Sequence, residues 1–194
     1  MPVRRPSSRI GPDEYLDWEK SSDHKHEYSA GEVFAVSGAS AVHVKIALNV
    51  ASMLLSHLRG GPCETYMADM KVRVAATQSF YYPDVFVTCD ERDLPNDFFK
   101  EYPVLIVEVL SPSTAAFDRG MKFAHYQNSP SLKEYVLIDT EGQRVDCFRR
   151  GEGVEWVLHP YLAGGEVRFE SVDLLCSMDQ VYEGVRLPSR AGGA

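Results

Sequence analysis

The chain has 194 residues, of which 44% are apolar and 25% charged, with a formal net charge of −8. That length suits one domain with a sizeable core, and the negative balance argues against a broadly basic surface that would hold nucleic acid without a local patch. No apolar run approaches the roughly 18 residues of a spanning helix, and the basic start MPVRRPSSRIGP has no apolar stretch behind it, so neither a membrane span nor a signal peptide is expected and the expected location is cytoplasmic.

Residues 1–10 and 187–194 read as loose tails around a single domain, 11–186. Pro12 suits the first turn of a short helix running to about Lys20. HEYSAGEVFAV follows, two strand-like runs about Ser29-Ala30-Gly31, with Gly supplying a positive φ in a hairpin. Ser40 is placed to cap a helix over about Ala41 to Arg59. Ala47, Val50, Ala51, Leu54 and Leu58 form its apolar stripe, widened by Ile46, Leu48 and Met53, so it should lie against a sheet. Gly60-Gly61-Pro62 ends it.

Strands are expected at 63–74, 80–88 and 103–110, with an acidic connection around Asp90–Glu101 between the last two. After Ser111-Pro112 a helix is expected over roughly 114–128. Strands at 134–139 and 143–149 should form a hairpin across Thr140-Glu141-Gly142, and two more, 154–158 and 166–170, extend the antiparallel part. This order gives an α+β fold, an α/β mixed sheet with helices packed on it. Cys63, Cys89, Cys147 and Cys176 form no CxxC pair and read as reduced thiols.

Two carboxylates stand out. Asp84 sits in FYYPDVFV and Glu108 in VLIVEVL, where a charge is costly unless paired or metal-bound. Side chains alternate along a strand, so neighbouring strands in the right register would aim both into one pocket. Such a pair suits Mg²⁺ or Mn²⁺. The plainer reading is an ordinary ion pair, or a strand end facing water.

The blocks YYPDVFVTCD, PVLIVEVLSPSTAAFDRGMKFAHYQ and PSLKEYVLID, with EYLDWEK, KHEYSAGEVFAVSGAS and YMADMKVRV before them, resemble the Uma-type restriction endonucleases of the PD-(D/E)XK nuclease superfamily. The resemblance covers most of the chain. It implies a restriction-endonuclease-like core with flanking helices and an antiparallel β extension, and Mg²⁺-dependent (or Mn²⁺-dependent) endonuclease activity on DNA. Pro83-Asp84 matches the PD element and Glu108 the acidic residue of (D/E)XK, so both become catalytic metal ligands, joined by the backbone carbonyl of Val109. Leu110 stands where the motif has lysine. Lys122, in DRGMKF, resembles the lysine that related nucleases carry on the following helix; on its own it reads as a surface pair with Asp118, four residues earlier.

Glu27 resembles the extra acidic residue of the N-terminal segment; an exposed strand carboxylate is the equal alternative. Asp69 and Lys71, sharing one strand face, are supporting candidates only. His24 and His26 read as a solvated face, His43 and His57 as structural. A homodimer is expected, because cutting two strands favours two sites about a two-fold axis. The alternatives are a nuclease fold without catalysis, which Leu110 and the acidic charge favour, or hydrolysis of RNA or nucleotides.

Overall fold

A computed structural model of the protein describes residues 9–36 and 38–188. Residues 1–8 and 189–194, most of both expected tails, lie outside the described residues, as does Ser37. In chain order, helix α1 (Pro12–Glu19) precedes a hairpin of β1 (His26–Ser29) and β2 (Glu32–Ala35), then α2 (Ala41–His57). Strands β3 (Glu64–Met67), β4 (Lys71–Val74), β5 (Ser79–Tyr81), β6 (Val85–Thr88), β7 (Phe99–Lys100) and β8 (Pro103–Val109) follow. Next come α3 (Ala115–Phe117), a π-helical turn (Asp118–Lys122) and α4 (Phe123–Tyr126). The chain closes with β9 (Glu134–Ile138), β10 (Arg144–Arg150), β11 (Trp156–Leu162), the hairpin β12 (Glu166–Phe169) and β13 (Leu174–Ser177), and α5 (Met178–Val181).

The main sheet has six strands in the order β11-β10-β9-β8-β6-β3. Every residue of β8 is buried, and β8 runs parallel to β9 and antiparallel to β6. This makes PVLIVEV a central strand covered on both faces, hence its unbroken apolar run. On one face Val85, Val107, Val109, Val136 and Ile138 pack with Ile46, Val50 and Leu54 of α2. On the other, Phe86, Ile106, Leu137 and Tyr135 pack with Leu110, Phe123 and Tyr126. A second sheet, β2-β1-β5-β4-β7, packs Tyr28 and Phe80 against Tyr15 of α1.

Several local expectations hold. Ser40 caps α2, its side chain accepting from the His43 N–H. The β1–β2 turn places Ala30 and Gly31 at φ 46° and 97°, the left-handed region that a tight hairpin requires. Others are corrected. The run 63–74 is two strands in different sheets, separated by a turn in which Ala68 has a φ of 51°. The run 80–88 is also two strands, β5 and β6, broken at Tyr82-Pro83-Asp84; Pro83 has no N–H to give a ladder. The helix expected over 114–128 is interrupted by the π turn. Leu48, expected on the apolar face of α2, is 54% exposed. Ile10, assigned to the N-terminal tail, is buried, and its N–H donates to the Gly31 carbonyl.

The cysteine reading is corrected as well. Cys63 and Cys89 form a disulfide, whereas Cys147 and Cys176 are free and buried. The pairing of β3 with β6 puts Glu64 opposite Thr88, so the residue before one strand meets the residue after the other. Among the described residues, no helix is long and apolar enough to cross a membrane.

Candidate active site

The register between β6 and β8 sets Val85 opposite Val107, which carries Asp84 beside Glu108 at the end of the paired region. Asp84 is not interior to a strand, as the sequence suggested, but lies in the break before β6. The break leaves its carboxylate free to turn, and two groups fix it. One oxygen accepts from the Val109 N–H at 2.7 Å, and the other lies 2.8 Å from His43 Nε2.

Glu108 points to the opposite face from Val107 and Val109, toward the helical segment. There it meets Lys122. The Lys122 ammonium lies 2.9 Å from Glu108 Oε1, 3.1 Å from Glu27 Oε1 and 3.7 Å from Asp118 Oδ1. Glu27 comes from β1 and is oriented by the Tyr82 N–H, which donates to the same oxygen at 3.1 Å. Lys122 is only 4% exposed, so the exposed i,i+4 pairing with Asp118 is not its environment. It also lies 5.6 Å from the centroid of the Tyr81 ring.

The π turn supplies the reach. Such turns insert one residue into an α-helix and recur at functional sites. Both Asp118 and Lys122 belong to it, and both are buried.

The electrostatics are those of a crowded acidic site. Burial holds the Glu108 carboxyl well above its ordinary range against the pull of Lys122, with Asp118, Asp84 and Glu27 pushing the same way. Burial also raises Asp118, again opposed by Lys122. Burial alone would lower Lys122, but Glu108, Glu27 and Asp118 together hold it well above its ordinary value, so it stays an ammonium.

Three carboxylates, those of Glu27, Glu108 and Asp118, thus surround one cation, and a fourth, Asp84, lies beside Glu108. Glu108 Oε1 is close to Lys122 but poorly aligned, and it is buried without a hydrogen bond. Among the described residues, no three His, Cys, Asp or Glu side chains form a ready-made metal cluster. The excess of carboxylate over ammonium and the unsatisfied Glu108 oxygen nevertheless fit a hard divalent ion. Such an ion takes one or two protein carboxylates and keeps its waters.

The supporting candidates lie elsewhere. Asp69 is in the turn before β4, not on a strand, and pairs with Lys25 at 2.8 Å with its side chain 86% exposed. The Lys71 ammonium donates to the Tyr82 hydroxyl at 3.2 Å, on the side where that hydroxyl donates to Glu19. His26, read as solvated, is buried against Glu19. His43 is the residue the sequence reading misses: it was assigned a structural role, yet its ring is 14% exposed and sits on Asp84. Its Nδ1 is buried without a partner. Only its place in the first turn of α2, after the Ser40 cap, could have hinted at this.

Comparison with known proteins places the chain among others of this shape. The Uma2 family, described as "Putative restriction endonuclease", matches residues 12–175. An uncharacterised protein of Synechocystis, slr1290, is 38% identical over 180 residues, covering 93% of this chain and 95% of its own. A second from the same organism, sll1609, is 35% identical over 147 residues, covering 75% and 83%. The crystal structure of "a putative nuclease belonging to DUF820" from Anabaena variabilis has the same fold, with a TM-score of 0.72 at 17% identity, covering 89% of this chain and 97% of that one. The match over 164 consecutive residues takes in Glu27, His43, Asp84, Glu108 and Lys122, and the chain belongs to the Uma2 restriction-endonuclease family.

Proposed function

We propose that the protein is a divalent-metal-dependent endonuclease that hydrolyses DNA phosphodiester bonds at this site. One observation carries the reading: a buried lysine from a π turn is held between two carboxylates, Glu108 and Glu27, and a third, Asp84, lies beside Glu108 in the break before the neighbouring strand. Asp84, Glu108 and the Val109 carbonyl would hold Mg²⁺ or Mn²⁺. The ion, when bound, supplies Lewis-acid charge at the scissile phosphate and lowers the pKa of a coordinated water.

The chain's own groups do the rest. Lys122 stays charged and lies within hydrogen-bond reach of the carboxylates, where it orients the attacking water and offsets charge developing on the phosphate. Leu110 cannot supply that charge, so the lysine has to arrive from the helix. Glu27 and Asp118 position the ammonium. The Val109 N–H and His43 fix the rotamer of Asp84, the kind of orienting contact that outer partners give a ligating carboxylate. Action on both strands of DNA favours a homodimer.

The test is plasmid cleavage with Mg²⁺ or Mn²⁺ by wild type, Asp84→Ala and Glu108→Ala, beside calorimetric titration of the same ions. Metal-stimulated cutting by wild type alone is expected. Equal cutting by all three proteins would trace the activity to a contaminant, and no divalent-ion binding at millimolar concentration would favour a non-catalytic nuclease fold.

A further inference from the structure

Arg119, in the π turn three residues before Lys122, and Arg144, on β10, share one carboxylate. Arg119 donates to Asp146 Oδ2 at 2.9 Å, and Arg144 Nε donates to Asp146 Oδ1 at 2.9 Å. The Asp146 side chain is 2% exposed, whereas those of Arg119 and Arg144 are 41% and 44% exposed. A guanidinium has five N–H donors. Each arginine spends one on Asp146 and turns much of the remainder outward, with its orientation fixed from beneath. Two cations on one anion leave a positive spot on a chain of net charge −8. The neighbouring Asp139 carboxylate accepts from the Glu141 N–H and makes no ion pair with Arg144.

The sheet register locates this pair. Glu108 is opposite Leu137, and Leu137 is opposite Asp146. All three side chains therefore point to the same face, with Asp146 two strand spacings, ~10 Å, from Glu108. The positive spot and the carboxylate–lysine site share one face of the sheet and one helical segment.

We propose that Arg119 and Arg144 form a phosphate clamp that seats the DNA backbone across the sheet face and leads a neighbouring phosphodiester to the site. This rests on the nuclease reading above. Guanidiniums held by a buried carboxylate are pre-organised for phosphate oxygens, which they meet through paired donors. If Arg119 only tied the helix to β10, one arginine would suffice, and its loss would change stability without changing how binding responds to salt.

Metal-free binding of a labelled DNA duplex, followed by fluorescence anisotropy across a salt series, separates the cases. Each phosphate contact contributes about 0.9 to the slope of log affinity against log salt. Arg119→Gln/Arg144→Gln should therefore flatten the slope by about 1.8 and narrow its affinity gap to wild type about twelvefold between 50 and 200 mM salt. If the double variant loses its fold, Arg144→Gln, which keeps the Arg119–Asp146 pair, should give about half the change in slope. Equal slopes for wild type and a folded variant would overturn the clamp while leaving plasmid cleavage, and so the nuclease reading, intact. Failure of wild type to bind DNA at low salt would also overturn it, and the plasmid assay then reports independently on the nuclease. A slope change seen with RNA and not with DNA would overturn the assignment to DNA.

Discussion

Replacing Lys122 by methionine tests the centre of the site with a magnitude that its placement fixes. Lys122 is 4% exposed, and its ammonium lies within 4 Å of Glu108, Glu27 and Asp118. Removing it leaves buried carboxylates without their counter-charge, and breaking a buried pair costs about 3–5 kcal/mol. Glu108 can relieve part of this by taking up a proton, since burial already holds its carboxyl well above the ordinary range. The lower end, about 3 kcal/mol, is therefore expected. For a chain of this size one kcal/mol moves Tm by about 2–4 °C, so Lys122→Met should melt about 6–12 °C below wild type in EDTA. A surface i,i+4 pair would give about 0.5 kcal/mol at most, a shift of about 2 °C or less. Mg²⁺ should recover part of the loss, raising Tm more in the variant than in wild type, because a cation can serve the orphaned carboxylates. Melting followed by circular dichroism, with and without Mg²⁺, reads both effects. A variant that melts within about 2 °C of wild type in EDTA would refute the buried-cluster reasoning.

His43→Ala should weaken divalent-ion affinity or plasmid cleavage about 10- to 100-fold, the usual cost of losing a partner that orients a ligand, and unchanged values would reduce His43 to packing. Asp69→Ala should shift stability by less than about 1 kcal/mol, because its pair with Lys25 is exposed, and should leave cleavage unaltered; a large loss of cleavage would draw the turn before β4 into the site. The Cys63–Cys89 bridge closes a loop of 26 residues, so Cys63→Ser/Cys89→Ser should lose about 3–4 kcal/mol in denaturant titration, with dithiothreitol producing the same loss in wild type and none in the variant. A wild type insensitive to dithiothreitol would show that bridge to be absent in solution. Light scattering at working concentration should return twice the chain mass, and a monomer mass would remove the dimer from the proposal.

Periodicity carried the regular parts of this fold. The apolar stripe of α2, its Ser40 cap and the β9–β10 hairpin could be read from residue order because their signals are local. The splitting of 63–74 was hidden because Ala68 takes a positive φ without glycine or asparagine to announce it. The break before β6 had a visible cause in Pro83, but the apolar residues around it masked the cause. Glu108 was legible because a charge inside VLIVEVL demands an explanation. Lys122 was not legible by itself: its sequence neighbours describe an exposed pair, and only the resemblance placed it beside Glu108. His43 and the cysteine bridge were missed for a shared reason. Their partners lie 41 and 26 residues away, and pairing over such distances follows from the sheet and from helix docking, not from spacing.

The π turn at Asp118–Lys122 makes the lysine's reach depend on residue count as well as residue identity. One residue fewer would return the segment to regular α-helix. Because the wider turn spreads its five residues over the arc that about four cover in an α-helix, α3 and α4 would keep nearly the same phase, and the outward bulge between them would be lost. Phe123 and Tyr126 would keep their seats in the core, while the side chains of the turn would draw in toward the helix axis and Lys122 would lose reach to Glu108. A single-codon deletion within 119–121 would therefore loosen the lysine's hold on Glu108 and Glu27 without changing any of the residues that make the contact. Alignments that score only identities would pass over such a lesion, whereas counting the residues between Glu108 and the lysine would find it.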